Sequence, residues 1–186
     1  MLDLAIWVLA AFALLGVVDA LYLHLWRYTL HMREESRFEH LVHTGRSVVF
    51  VPIVVLLFTG EFAGAWLWVA VGLVAVDQAF ELADGLSEHR SRRSLGGLGR
   101  LEYVLHGTLV SLRVLALALA FLAQPADAWQ LGATTPAHAH ELSQLLAWSL
   151  VPGAVLGAAL HVVLAVRPIR LQTIAARSCP CLAHVA

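Results

Sequence analysis

Four carboxylates, Asp77, Glu81, Asp84 and Glu88, recur at i, i+4, i+7 and i+11 inside an otherwise apolar run. Residues at these spacings share one face of a helix, so the acids form a single stripe. Like charges aligned this closely repel unless cations lie between them. A second run carries Glu102 and His106 at i, i+4, with Arg113 seven residues further on. A third stretch holds Asp19, His24, His31, Glu35, Glu39, His40 and His43 within 25 residues. Its string Glu39-His40-Leu41-Val42-His43 offers three potential ligands within two helical turns. His161 stands alone in a fifth, apolar run, among Gly153, Gly157 and Ala158. Imidazole suits iron, zinc or copper, whereas carboxylates bridge and neutralise a pair of ions.

The elements that must position these groups are set by composition. Of 186 residues, 60% are apolar and only 13% are charged, against about 25% charged in a soluble domain. That excludes a disordered chain, a nucleic-acid binder and an ordinary cytosolic enzyme. The net charge of -1 provides no long-range field to select a partner. Cys179 and Cys181 are too few and too close for a disulfide framework.

A helix needs roughly 20 apolar residues to cross a bilayer. Five runs approach that length: Leu4 to Leu25, one centred on Ser47 to Phe58 that must begin near Glu39 to be long enough, Ala63 to Asp84, Leu101 to Leu122, and Leu142 to Val166. The expected fold is an all-α, polytopic membrane helix bundle, one domain over residues 1–177, with an unordered tail at 178–186. The first run is not a cleaved signal peptide, since no basic segment precedes it and Asp19 interrupts it. All twelve basic residues are arginine, and eleven cluster in the first and third connections or after the last run. Cytoplasmic loops carry the positive excess, which predicts an outside N-terminus and a cytoplasmic C-terminus, as in a bacterial plasma membrane. Trp7, Trp66, Trp68 and Trp129 fall near the expected outer interface and Trp26 near the inner one. Pro52 and Pro152 lie inside spans, where each removes a backbone donor and favours a kink.

Ionisable groups inside a bilayer are costly and mark function by default. Asp84 lies six residues above Arg90, His106 six above Arg100, and His161 six above Arg167. At 1.5 Å per residue, all three are roughly 9 Å deep. The expected metal ligands are His24, His31, Glu39, His40, His43, Asp77, Glu81, Asp84, Glu102, His106 and His161. Asp77 and Arg113 lie at one deeper level, so they read first as a structural ion pair. Glu81, Asp84 and His106 have no arginine at their own level, which favours ligation over a proton path. For His24 and His43 the bland alternative is a histidine hydrogen-bonded at the interface. His31, Glu35, Glu39 and His40 could equally be solvated loop residues, and Glu102 a helix N-terminal charge. Glu88 and His89 read as solvated, and Asp19 as a partner of Arg46 or Arg113. His138 and His140 lie in an outer loop, and Cys179, Cys181 and His184 in the tail.

The spacing points to a membrane enzyme with two iron ions near the cytoplasmic interface, an oxidoreductase acting on a lipid or other apolar substrate and drawing on an electron donor. Tyr22, Tyr28 and Tyr103 are candidate proton donors. A zinc-dependent membrane hydrolase, a haem-binding cytochrome and an ion or proton pathway are the alternatives. The ligand logic is similar to that of soluble di-iron bundles, without their Glu-x-x-His spacing and without the histidine boxes of membrane desaturases.

Overall fold

The computed structural model of the chain describes residues 1–93 and 96–166. The expected tail at 178–186, its two cysteines and the arginines at 167, 170 and 177 lie outside the described residues. Five helices account for most of the rest: α1 Leu2–Val18, α2 Arg37–Phe58, α3 Ala65–Ser91, α4 Arg100–Ala123 and α5 Glu141–Val166. No strand occurs among the described residues. Each helix is long and apolar enough to cross a membrane, α1 when counted with its continuation to Arg27.

That continuation differs from the simple helix read from the sequence. Asp19–Arg27 is nine residues of π-helix, followed by a 3-10 turn at Leu30–Met32. Residues five apart on an α-helix point about 140° apart. Hydrogen bonding from i to i+5 stacks them instead, so Asp19 and His24 come to one face. Thr29 ends the segment in the left-handed region (φ 48°), a rare conformation for a β-branched residue. The Tyr28 carbonyl there accepts bonds from Thr29 Oγ1 and Arg33 Nε, both at 2.8 Å. An uninterrupted α-helix would put His24, Tyr28, His31 and Glu35 on one stripe, and the π-helical segment and the turn after it prevent that.

Helix α2 packs against α3 and α5, and α1 against α4 and α5. The two ends of the bundle have opposite character. At one end Leu2, Ile6 and Leu9 of α1 meet Ile53, Leu57 and Phe58 of α2, Leu67 of α3 and Leu117 of α4. Alanines 5, 70, 116, 120 and 147 are fully enclosed where backbones approach closely, the packing that membrane helices favour. Gly45 serves the same purpose further along, since a Cβ there would lie 2.8 Å from the Phe80 ring.

The loops at the apolar end are tied down by polar bonds. Trp68 Nε1 donates to the Trp129 carbonyl (3.0 Å), Gln144 Nε2 to that of Thr59 (3.0 Å), and the His140 amide to Asp3 (2.8 Å). The residue 124–140 connection is therefore packed, with Ala128 fully enclosed. Gly64, at φ +63°, faces the Leu131 and Ala133 carbonyls so closely that a Cβ there would lie 2.8 Å from each oxygen, a collision. Outward faces stay apolar, as at Leu82, Leu86, Leu122 and Leu156, which suits contact with lipid.

Candidate metal centre

All the ionisable groups singled out in the spans gather at the opposite end of the bundle, and three arginines organise them. The α3 stripe is threaded by two guanidiniums. Arg113 of α4 bonds Asp77 and reaches Glu81 at 2.6 Å. Arg46 of α2 bonds Glu81 and reaches Asp84 at 3.1 Å, with its Nε 3.7 Å from Asp77. Glu81 and Asp84 therefore do have a level arginine. Arg46 resembles a loop residue in sequence, but α2 begins at Arg37, which places it two and a half turns inside the helix.

The third arginine is Arg92, with 0% of its side chain exposed. Its Nη1 and Nη2 bond the two oxygens of Glu39 at 2.7 and 3.0 Å, and its Nε bonds Glu102 at 2.8 Å. Ser91 Oγ accepts a further bond from Arg92 and donates one to Ser36. The Tyr28 ring lies 5.8 Å from the guanidinium carbon. Burial alone would weaken the charged form of Arg92, but the Glu39 and Glu102 carboxylates outweigh it and hold its pKa above the ordinary value. Glu102 lies in the first turn of α4, as a helix N-terminal charge would, and is also bonded to Arg92. Glu39 shares the same arginine while keeping one oxygen 3.8 Å from His43.

Beside these guanidiniums stands a second constellation. His106 Nε2 lies 3.3 Å from Asp19 Oδ1, and His24 Nε2 lies 3.6 Å from Asp19 Oδ2. His43 Nε2 lies 3.3 Å from Asp84 Oδ1. The His24 ring is 5.1 Å from that of His43 and 5.6 Å from that of His106, edge-on to both. Asp19 thus pairs with histidines and with neither of the arginines expected for it. Five of these atoms, Asp19 Oδ1, His24 Nε2, His43 Nε2, Asp84 Oδ1 and His106 Nε2, are buried and have no hydrogen-bond partner among the described residues.

The spacing fits a metal. Ligand atoms about 2.0–2.1 Å from a tetrahedral ion lie roughly 3.3 Å apart, and the ring centres of two bound imidazoles roughly 5 Å apart. Two sets of three ligand atoms lie within 4.8 Å of one another: Asp19, His24 and His106, and His24, Glu39 and His43. Each set has two histidines and one carboxylate. His24 belongs to both.

Glu88 is half of a further device. Its carboxylate lies 2.7 Å from His106 Nδ1. A carboxylate there keeps the proton on Nδ1 and aims the Nε2 lone pair at the cluster, the arrangement that supports metal-bound histidines. Glu88 is therefore not a solvated residue. It continues the stripe begun at Asp77, as do Ser91 and Arg92, and that periodicity is the signal that reveals all three. Glu88→Gln should weaken metal binding about 10–100-fold without changing the number of ions bound at saturation, measured by competition with a chromophoric chelator.

The remaining expected ligands lie at the rim. His40 and His161 face each other at 5.5 Å between ring centres, and His161 stacks on His43 at 6.2 Å. His31 sits on the 3-10 turn, where burial lowers its pKa from the ordinary value and keeps it neutral. Asp77 is the deepest of the acids and is committed to Arg113. Tyr22 and Tyr103 are exposed, and Tyr28 is turned toward Arg92.

A buried pair broken on one side leaves an uncompensated charge, at a cost of about 3–5 kcal/mol. Asp77→Ala should therefore lower thermal stability in detergent more than the double replacement Asp77→Ala with Arg113→Leu. Equal losses in the two would show that the pair carries no such coupling. Known protein families, curated proteins and solved structures offer no match to this chain.

Proposed function

We propose that the protein is a metal-dependent membrane enzyme, a non-haem di-iron oxidoreductase of the oxygenase, hydroxylase or desaturase type. Its substrate is a lipid or another apolar molecule. The observation that carries this reading is the convergence of five unpartnered, buried donor atoms on Asp19, His24, His43, Asp84 and His106. Unpartnered buried polar atoms are costly, and a cation held by the Asp19, His24 and His106 set or by the His24, Glu39 and His43 set would satisfy those that belong to it.

Charge supports the same reading. Among the described residues, Asp19, Glu39, Asp77, Glu81, Asp84, Glu88 and Glu102 are met at this end of the bundle by Arg46, Arg92 and Arg113. Neutral imidazoles leave four negative charges in excess, which two divalent cations balance. Two histidines with one carboxylate is the ligand set of non-haem iron oxygenases, with coordination positions left open. Zinc is the weaker candidate because its sites close with fewer ligands than gather here. Haem ligation has no use for Asp19, Glu39 and Asp84 beside the histidines.

Bound iron would supply the activation of dioxygen. The chain's own residues do the rest. Glu88 orients His106, Arg92 holds Glu39 beside His43, and the Arg113, Asp77 and Glu81 cluster closes the deep side. The apolar core above that cluster keeps water from entering from the far end. The arginine distribution supports a cytoplasmic polar end, where a soluble electron donor would have access and an acyl chain would arrive from the inner leaflet. The location that follows is a bacterial plasma membrane, and no nucleic acid is involved.

The test is direct. Iron-loaded protein in lipid nanodiscs, chemically reduced, should consume dioxygen, and a His106→Gln variant should do so at least about tenfold more slowly. Wild-type protein that retains zinc or no metal after iron loading contradicts the proposal.

A further inference from the structure

Gln78 is the middle residue of α3, which runs from Ala65 to Ser91. It lies twelve residues above Arg90, roughly 18 Å at 1.5 Å per residue, near the centre of a hydrocarbon layer about 30 Å thick. Its side chain is exposed and forms no hydrogen bond among the described residues. Lipid offers an amide no partner there, and an unsatisfied polar group in hydrocarbon is costly. The hydroxyls exposed on other spans are treated differently. Thr108 Oγ1 donates to the Val104 carbonyl at 2.8 Å, Ser111 Oγ to that of Gly107 at 2.7 Å, and Ser149 Oγ to that of Leu146 at 2.7 Å. Each of these is satisfied by its own helix, whereas the Gln78 amide is not.

The surface around Gln78 is bare. Helix α3 packs against α2 and against the turn Ala126–Trp129 at its outer end, and its acids turn inward to the arginines. The neighbouring stripe, Val71, Ala75, Gln78, Leu82 and Gly85, is exposed along its whole length. Residues at these spacings lie on one face of a helix. A Cβ at Gly85 would meet nothing within 4 Å. Gly85 and Ala75 therefore leave room for another helix backbone to approach, as small residues do at contacts between membrane helices.

We infer that this face of α3 is the contact surface of a homodimer, in which Gln78 hydrogen-bonds the partner subunit's Gln78. Copies of one chain insert with one orientation, so the two-fold axis relating them stands along the membrane normal. A residue on that axis meets its own counterpart at the same depth. A charged side chain there would face a like charge. An amide is donor and acceptor at once, so it complements itself. That self-complementarity selects a second copy of this chain as the occupant. The inference rests on α3 as a membrane span and not on the iron centre.

The test uses the full-length chain with Cys179 and Cys181 replaced by serine. In that background Gln78→Cys should form a disulfide-linked dimer in liposomes treated with copper phenanthroline. Leu156→Cys, on an exposed face of α5, should stay monomeric under the same treatment. Sedimentation equilibrium in a neutral detergent should show a reversible dimer for the wild type. Gln78→Leu should weaken that dimer about 3- to 30-fold, the range set by hydrogen bonds between membrane helices. A wild type that sediments as a monomer, or a Gln78→Leu variant that dimerises as tightly as the wild type, overturns the inference. Cross-linking of Leu156→Cys as fast as that of Gln78→Cys overturns it as well. Should Gln78→Leu fail to stay monodisperse, the comparison of the two cysteine variants decides.

Discussion

Replacing His24 by alanine is expected to cut bound iron at least about tenfold, more than any other single substitution in the bundle. The reason is its position. It belongs to both ligand sets, that with Asp19 and His106 and that with Glu39 and His43. Loss of a residue that only supports a ligand costs about 10–100-fold in affinity, and loss of a ligand common to both sets should cost more. His43→Ala and His106→Ala each touch one set and leave the other intact, so each should lose less iron than His24→Ala. Metal content per chain after desalting reads this difference, with monodispersity in detergent as the control for folding. Equal iron in His24→Ala and wild type would remove His24 from the centre.

The second large effect is expected at Arg92. Arg92→Met keeps most of the volume and removes the charge, leaving Glu39 and Glu102 buried without a cation. Stranding one side of a buried ion pair costs about 3–5 kcal/mol, which lowers the melting temperature on the order of 10 °C for a chain of this size. The triple replacement Arg92→Met, Glu39→Gln and Glu102→Gln should recover much of that loss, because no charge is then stranded. Melting followed by fluorescence in detergent measures both. A single variant as stable as the wild type would mean that the α3–α4 connection is held by something other than this arginine.

The five spans are legible because each needs only a long apolar run, and the helices begin and end within a few residues of the expected limits, except α3, which continues seven residues past Asp84 to Ser91. In α2 the polar opening turns from Arg37 to Arg46 belong to the helix. Glu39, His43 and Arg46 there are matched by acids of α3 and by Arg92 just after it, which sequence spacing along one helix cannot reveal. The same limit explains the arginines. Arg46 and Arg92 look like loop residues by local composition, yet they are the cations that neutralise Glu81, Asp84, Glu39 and Glu102.

The carboxylate stripe of α3 is legible as a stripe, because helical periodicity is a property of one segment. Which acid faces an arginine and which faces a histidine depends on how α2 and α4 are rotated, and no spacing rule gives that. The π-helical segment is the least visible feature. Nothing in its residue types announces an i to i+5 pattern, yet it turns Asp19 toward His24 and His106. An α-helical continuation would send Asp19 and His24 to different faces.

The most direct measurement is X-ray absorption at the iron edge on wild-type protein purified from cells grown with iron. The account predicts bound iron with an imidazole-containing shell, at least two histidine nitrogens together with carboxylate oxygen, that collapses in His24→Ala. Protein that stays folded and carries no iron, or iron showing the Soret absorption of haem, would contradict it.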